Sequence, residues 1–101
     1  MVSEVETHLD QIKAICQDHY VDELYLIGSA ATGKVHSQSD IDFLVKFQST
    51  IEPSAYFNNF RDLKSALEEL LDSEVDLIEM QTLKNPVLIR SVNRNKVLIY
   101  G

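Results

Sequence analysis

Three aspartates in this 101-residue sequence could perform metal and phosphate chemistry. Two of them, Asp40 and Asp42, stand two residues apart at the start of an apolar run, so in a strand their side chains project from the same face. Two carboxylates placed together repel each other unless a cation lies between them or one is protonated. Magnesium prefers oxygen ligands and is commonly held by one or two carboxylates together with substrate phosphates. The Asp-x-Asp pair therefore predicts a divalent-cation site.

The third carboxylate of such a site is predicted to be Asp76. It lies in the apolar run 75–78, where a charge is costly unless it faces solvent or a cation. Asp72, Glu74 and Glu79 are alternatives nearby, but they stand at the ends of predicted elements, where solvated carboxylates are common.

The Gly28-Ser29 pair ends an earlier apolar run and predicts a turn that could bind phosphate. A residue without a side chain lets an anion approach the backbone, and the start of a following helix offers unpaired amides. Taken alone, the pair is more simply interpreted as an ordinary strand-ending turn. Its combination with the three aspartates favours the phosphate site.

Apolar spacing predicts the elements that position these side chains. Helical spacing occurs over residues 3–19, 53–72 and 86–93, and runs typical of strands occur over 24–27, 41–47, 75–79 and 96–100. Between the first two strands, 28–40 predicts a turn followed by a short helix. Strands separated by helices predict an α/β (α+β) fold with helices packed against a mixed β-sheet, in a single domain 1–101.

Composition narrows the classes of partner. The formal net charge is −7, from 16 acidic against nine basic residues, which is opposite to the charge expected of a nucleic-acid-binding protein. Bound cations can still make the field at a site favourable for a triphosphate. The single cysteine, Cys16, falls on the apolar stripe of the first helix and is predicted to be buried. Without an evident signal peptide or membrane-spanning run, a cytoplasmic protein is expected.

The order of these motifs along the chain resembles the nucleotidyltransferase superfamily related to polymerase beta. The matching features are Gly28-Ser29, the segment Ser39-Asp40-Ile41-Asp42, and Asp76 in a later strand. The minimal nucleotidyltransferases are the most similar branch, in size and in element order, over nearly the whole chain. The resemblance therefore implies the nucleotidyltransferase fold.

The same resemblance implies roles for the individual residues. Asp40 and Asp42 would bridge two Mg²⁺ ions, and Asp76 would bind the ion that activates an acceptor hydroxyl and could accept its proton. Gly28 and Ser29 would hold the triphosphate of ATP, and Ser39 would brace Asp40.

One position departs from the pattern of the family. Many members have an arginine where this chain has Thr32, so a cation that would contact the triphosphate is missing. Lys34 stands two residues later and could replace it, although a solvated loop lysine is the simpler interpretation.

Minimal nucleotidyltransferases resemble antitoxins that pair with HEPN-type toxins, and some transfer AMP to a tyrosine of the partner. The resemblance thus implies AMP transfer from ATP to a HEPN-type toxin within a hetero-oligomer. Two alternatives stay open. The chain could be a binding module whose acidic surface complements a basic partner without any transfer chemistry, or a nucleotidyltransferase that acts on a small molecule.

Overall fold

The computed structural model describes residues 3–28, 31 and 41–101. Its strands are β1 (Val21–Ile27), β2 (Ile41–Phe47), β3 (Val75–Glu79) and β4 (Val97–Tyr100). Its helices are α1 (Ser3–Thr7), α2 (Leu9–Asp18), α3 (Pro53–Leu71) and α4 (Pro86–Asn95), with a short 3-10 helix at Met80–Thr82.

The strands of the described chain form one mixed sheet in the order β3-β2-β1-β4. β1 is antiparallel to both β2 and β4, whereas β2 and β3 are parallel. A parallel pair needs a crossover connection, and here α3 provides it. The predicted mixed sheet with helices packed against it is confirmed.

One face of the sheet, the core face, packs against α2 and α3. Apolar residues alternate along the strands and recur at helical spacing on the helices, so that both sets meet in one layer. The fully buried members include Ile12 and Cys16 from α2, Leu24 and Leu26 from β1, Phe43 and Val45 from β2, and Leu63 and Leu67 from α3. Burial of this apolar surface is the main term that stabilises the fold.

The opposite face of the sheet, the outer face, is half covered. Alternation along β2 places Asp42, Leu44 and Lys46 on this face, and the sequence gives no reason to expect Leu44 to be buried there. Leu44 is nevertheless only 2% exposed. It lines a cavity of about 180 Å³ together with residues of α4, including Ile89 and Val92. The C-terminal helix α4 therefore covers the middle of the outer face.

Local chemistry explains where the elements begin and end. α4 starts after Asn85, whose side chain accepts a hydrogen bond from the backbone N–H of Val87 at 2.9 Å, with Pro86 as the first helical residue. α3 likewise begins with Pro53 and ends before Asp72, which adopts a left-handed conformation with φ of 50°.

The predicted helix over 3–19 is interrupted at His8, which separates α1 from α2. Near this break, the Thr7 hydroxyl donates to the carbonyl of Ser3 and His8 Nδ1 lies 2.7 Å from the carbonyl of Glu4. Such local side-chain bonds compete with the helical ladder and favour an interruption. The prediction of one continuous helix was wrong, although the apolar stripe that it placed against the core is confirmed.

Two further boundaries differ from the prediction. β1 begins at Val21 instead of at residue 24, because a register shift between Val21 and Glu23 lets Val21 pair with Phe47 and join the buried core. α4 continues to Asn95 and β4 begins at Val97. Among the helices of the described residues, none is long and apolar enough to span a membrane.

Cys16 is fully buried on the core face, as predicted. Burial raises the pKa of its thiol to about 12, because the thiolate would lose its hydration there. A thiol that stays protonated at neutral pH is a poor nucleophile. Cys16 therefore packs the core and is not suited to covalent chemistry.

A hydrogen bond joins the start of α3 to the end of β3. The Tyr56 hydroxyl donates to Glu79 Oε2 at 2.5 Å. Burial, and then this bond to the Glu79 carboxylate, raise the pKa of Tyr56. Tyr56→Phe is expected to lower the free energy of unfolding at pH 7 by about 1.5 kcal/mol, the size of a hydrogen bond to a charged group.

The pH dependence of that loss has a definite sign. Above the ordinary tyrosine pKa of about 10, Tyr56 ionises in the unfolded chain before it does in the folded protein. Wild-type stability should therefore fall as pH rises through that value, and Tyr56→Phe should make the slope shallower. Urea unfolding at pH 7 and at pH 10.5 measures both effects. Tyr20→Phe, at an exposed position, is the control, and an equal change in slope there would contradict the assignment.

Candidate functional site

The end of β1 and the start of β2 bring Gly28 and Asp42 together. In the antiparallel register, Ile27 pairs with Asp42, so Gly28 follows immediately beside the aspartate. Gly28 has a φ of +70°, and a Cβ built on it would stand 2.7 Å from Asp42 Oδ2. The missing side chain of Gly28 thus makes room for a carboxylate, a function that the sequence pattern did not suggest.

The parallel pairing of β2 with β3 places Asp76 beside Asp42. The two residues are direct partners in the register, so their side chains leave the same face of the sheet. Asp76 is exposed and Asp42 is half buried. Two carboxylates from neighbouring strands therefore leave the same outer face of the sheet at paired positions.

The other predicted site residues, Ser29, Ser39 and Asp40, lie outside the described residues, as do Thr32 and Lys34. Their predicted roles stay predictions. Within 3–28, 31 and 41–101, no group of three or more His, Cys, Asp or Glu side chains could hold a metal ion. The described part of the predicted ligand set is the pair Asp42 and Asp76.

A cavity of about 360 Å³ opens next to this pair, between the outer face and α4. The sheet lines it with Ile27, Gly28, Asp42 and Ile78, and the C-terminal segment lines it with Leu83, Leu88, Ser91, Val92 and Asn95. The volume lies within the range of small-ligand sites. A mostly apolar wall with one carboxylate suits an aromatic group held beside a charged reaction centre.

The wall contributed by α4 was not predicted as part of the site. The sequence predicted a short helix there, but the residues of that helix do not by themselves show which face of the sheet it covers. A weak signal exists, because Pro86–Ile89 is an apolar run and Val92 is the one apolar residue in the remainder of the helix. Such a helix buries only a narrow stripe.

A larger cavity, of about 560 Å³, lies at the other end of the sheet. Its lining includes Lys46, Phe47, Tyr56 and Glu79. The carboxylate of Glu79 already accepts the bond from Tyr56, and Lys46 lies 3.7 Å from Asp22 and 3.6 Å from Glu23. The charged groups of this cavity are therefore paired within the protein, and none of the predicted site residues that the structure describes lines it.

The Asp42 and Asp76 pair suits a divalent cation in its chemistry, and both side chains leave the same face of the sheet. Both groups offer hard oxygen ligands, which magnesium prefers. The left-handed backbone of Gly28 holds one edge of the site close to Asp42. These two carboxylates would supply part of the ligand set of a divalent cation.

A family model described as polymerase beta, nucleotidyltransferase, matches residues 10–101. The chain belongs to this family of nucleotidyltransferases, which confirms the resemblance inferred from the motifs. Among its relatives is the protein MJ1379 of Methanocaldococcus jannaschii, which is provisionally named a protein adenylyltransferase. It is 33% identical over 99 residues, which are 97% of each chain.

Solved structures share the fold. One chain of a crystal structure of a toxin-antitoxin with AMP-PNP matches with a TM-score of 0.71 and 28% identity, over 92% of this chain and 73% of that one. Another match is a structure of a tri-AMPylated HEPN toxin in complex with the MNT antitoxin, from Shewanella oneidensis. Its TM-score is 0.60 with 26% identity, over 95% of this chain and 71% of that one.

Proposed function

We propose that this chain is an antitoxin that transfers AMP from ATP to a tyrosine hydroxyl of a HEPN-type toxin. The observation that carries the proposal is the pairing of Asp42 with Asp76 on the outer face, beside the left-handed Gly28. The relatives support the choice of reaction, because one is provisionally named a protein adenylyltransferase and another is in complex with an AMPylated HEPN toxin.

The residues take the following parts in this proposal. Asp40, Asp42 and Asp76 would hold two Mg²⁺ ions, Gly28 and Ser29 would hold the triphosphate, and Ser39 would brace Asp40. When bound, the two ions would stabilise the attacking and the leaving oxygen of an in-line displacement at phosphorus. The half-buried position of Asp42 fixes its carboxylate against the backbone of Gly28.

Asp76 is exposed at the edge strand of the sheet, where an incoming protein side chain can reach it. In the proposed reaction the tyrosine oxygen forms a bond to the α-phosphorus of ATP. The bond from that phosphorus to the bridging oxygen breaks, and pyrophosphate leaves. The phenolic proton passes to the Asp76 carboxylate. Asp76 thus has two tasks in the proposal, helping to hold the ion that activates the acceptor hydroxyl and receiving its proton.

The organisation of the chain supports this assignment. The buried core is continuous from α1 to β4, and we propose that residues 1–101 act as one nucleotidyltransferase domain. Large acceptors must then be recognised by the surface around the site, since the cavity itself is small. A reaction that consumes ATP is consistent with a cytoplasmic location. Because the proposed acceptor is the toxin, the protein would act as part of a hetero-oligomer.

Asp76→Asn tests the proposed reaction. Transfer of label from α-labelled ATP to the toxin, with magnesium present, is expected to slow roughly 10- to 100-fold. The loss is limited because a phenol, with a pKa of about 10, gives up its proton more readily than an alcohol. The rate of the variant should recover as pH rises toward that value. Single-turnover labelling across pH 7 to 9.5 measures it.

Asp72→Asn is the matched control for this experiment. Asp72 is also an exposed acid close to β3, and asparagine tolerates its left-handed backbone. Its rate should equal that of the wild type. A wild-type protein that binds the toxin stably but transfers no label would contradict the enzyme and favour a module that masks its partner.

A further inference from the structure

The basic residues of this acidic chain are concentrated at one end of the sequence. Residues 80–101 contain Lys84, Arg90, Arg94 and Lys96 and none of the 16 acidic residues. A segment of charge +4 therefore belongs to a chain whose net charge is −7. Arg90 and Arg94 lie on α4, and Lys84 and Lys96 flank its two ends.

α4 is also the least buried long element. Its ten residues are all described and none of them is fully buried. Val87 is 72% exposed and Leu88 is 49% exposed, although apolar side chains gain free energy from leaving water. Only Ile89 and Val92, on the side of the helix that faces the sheet, are half-buried.

The exposed side of α4 combines apolar and basic groups. Val87, Arg90 and Arg94 follow one another at spacings of three and four residues, which aligns them along one stripe of the helix. Both arginines are exposed, and no carboxylate of the described chain lies within ion-pair distance of either. We call Val87, Leu88, Arg90 and Arg94 the α4 surface.

This surface is next to the candidate active site. Leu88, Ser91, Val92 and Asn95 of the same helix line the cavity that also contains Asp42. The helix with its side chains is about 10 Å across. A protein segment lying on the α4 surface would therefore have its neighbouring residues within reach of the two carboxylates.

We propose that the α4 surface docks an acidic segment of the protein that accepts the nucleotide. The inference rests on the proposed function and specifies its partner. Arginine is the residue best suited to forming ion pairs with carboxylates at an interface. The two exposed apolar side chains, Val87 and Leu88, add an area from which a docked segment would exclude water. The net charge of the chain would have suggested a basic partner, but the surface around the site has the opposite sign.

A nucleic acid fits this surface less well than a protein does. Nucleic-acid binding needs a broad basic footprint that neutralises several phosphates. Here only two arginines lie along the stripe, and they share it with apolar groups. A phosphate backbone would leave the exposed Val87 and Leu88 uncovered, whereas a protein segment can cover them with its own apolar side chains.

The test is the double variant Arg90→Glu plus Arg94→Glu in the full chain with the toxin as acceptor. The KM for the toxin is expected to rise about tenfold or more, since interface charges govern encounter and orientation. The kcat, and the AMP transfer to the small acceptor N-acetyltyrosinamide, should not change. The effect on KM should shrink at high salt, where exposed charges are screened.

The matched control is Lys13→Glu plus Arg61→Glu, which makes the same change in charge on α2 and α3, behind the core face. An equal rise in KM for this control, or an unchanged KM for the α4 variant, would overturn the proposal. A second result would also overturn the proposal. If the α4 variant loses affinity for a single-stranded RNA 12-mer, while its KM for the toxin rises no more than that of the control, the α4 surface binds nucleic acid instead.

The proposed function can fail separately from the docking surface. If the wild type transfers no label to the toxin or to N-acetyltyrosinamide, the proposed function is wrong. Docking is then read from direct binding of the two proteins by calorimetry. A dissociation constant weakened about tenfold by the α4 variant but not by the control would support docking, and an unchanged constant would overturn it.

Discussion

Asp42→Asn is expected to reduce AMP transfer by about 10⁴-fold, a loss of roughly 5.5 kcal/mol in transition-state stabilisation. Asparagine keeps the shape of the side chain beside Gly28 but removes the charge that a divalent cation requires. Single-turnover labelling from α-labelled ATP measures the rate. In parallel, magnesium with a non-hydrolysable ATP analogue should raise the melting temperature of the wild type, by an amount set by ligand concentration over Kd. The variant should show no such rise.

Asp22→Asn is the control for that result. Asp22 is an exposed acid on the same strand as Ile27 but at its other end, 3.7 Å from Lys46 Nζ. A surface ion pair of this kind contributes at most about 1 kcal/mol. The control should keep full activity and the full rise in melting temperature. An Asp42→Asn protein with more than a tenth of the wild-type rate would remove Asp42 from the metal site.

Local pattern was enough to predict the strands that carry the acidic residues. β2 and β3 have the predicted bounds because each is a short apolar run between polar segments, and a period of two is hard to mistake for a helix. The end of α3 was also predictable, since the apolar spacing stops at Leu71 and Asp72 can adopt the left-handed turn. The fold class followed from the alternation of strands and helices.

Long-range pairing was not predictable from pattern. The register that sets Asp42 opposite Asp76 depends on how α3 packs across the sheet, and one residue of slip would put the two side chains on opposite faces. The position of α4 is similar, because a helix with two half-buried residues has little periodicity to show where it packs. For that reason the wall of the cavity and the α4 surface emerged only from the structure.

The contact between Gly28 and Asp42 leads to the second large effect. Gly28→Ala places a methyl group 2.7 Å from Asp42 Oδ2 and forces alanine into a left-handed φ of +70°. The backbone strain costs about 1 to 2 kcal/mol. The clash itself is relieved cheaply, because the contacted atom is the end of a short side chain that can turn away. That movement displaces the carboxylate, and a shift of about 1 Å in a reacting group costs roughly 100-fold in rate.

The expected signature of Gly28→Ala is therefore an activity loss of about 100-fold with a modest loss of stability, measured by single-turnover labelling and by urea unfolding. Gly101→Ala is the control, since Gly101 also has a positive φ of +124° and its Cβ would stand 2.8 Å from the carbonyl of Asp22. It should lose stability without losing rate. In an Asp42→Asn background, Gly28→Ala should lower the rate much less than it does in the wild type, because the carboxylate it displaces is already gone and only the contact with the triphosphate is left to lose. Fully additive losses in that double variant would show that Gly28 does not act through Asp42.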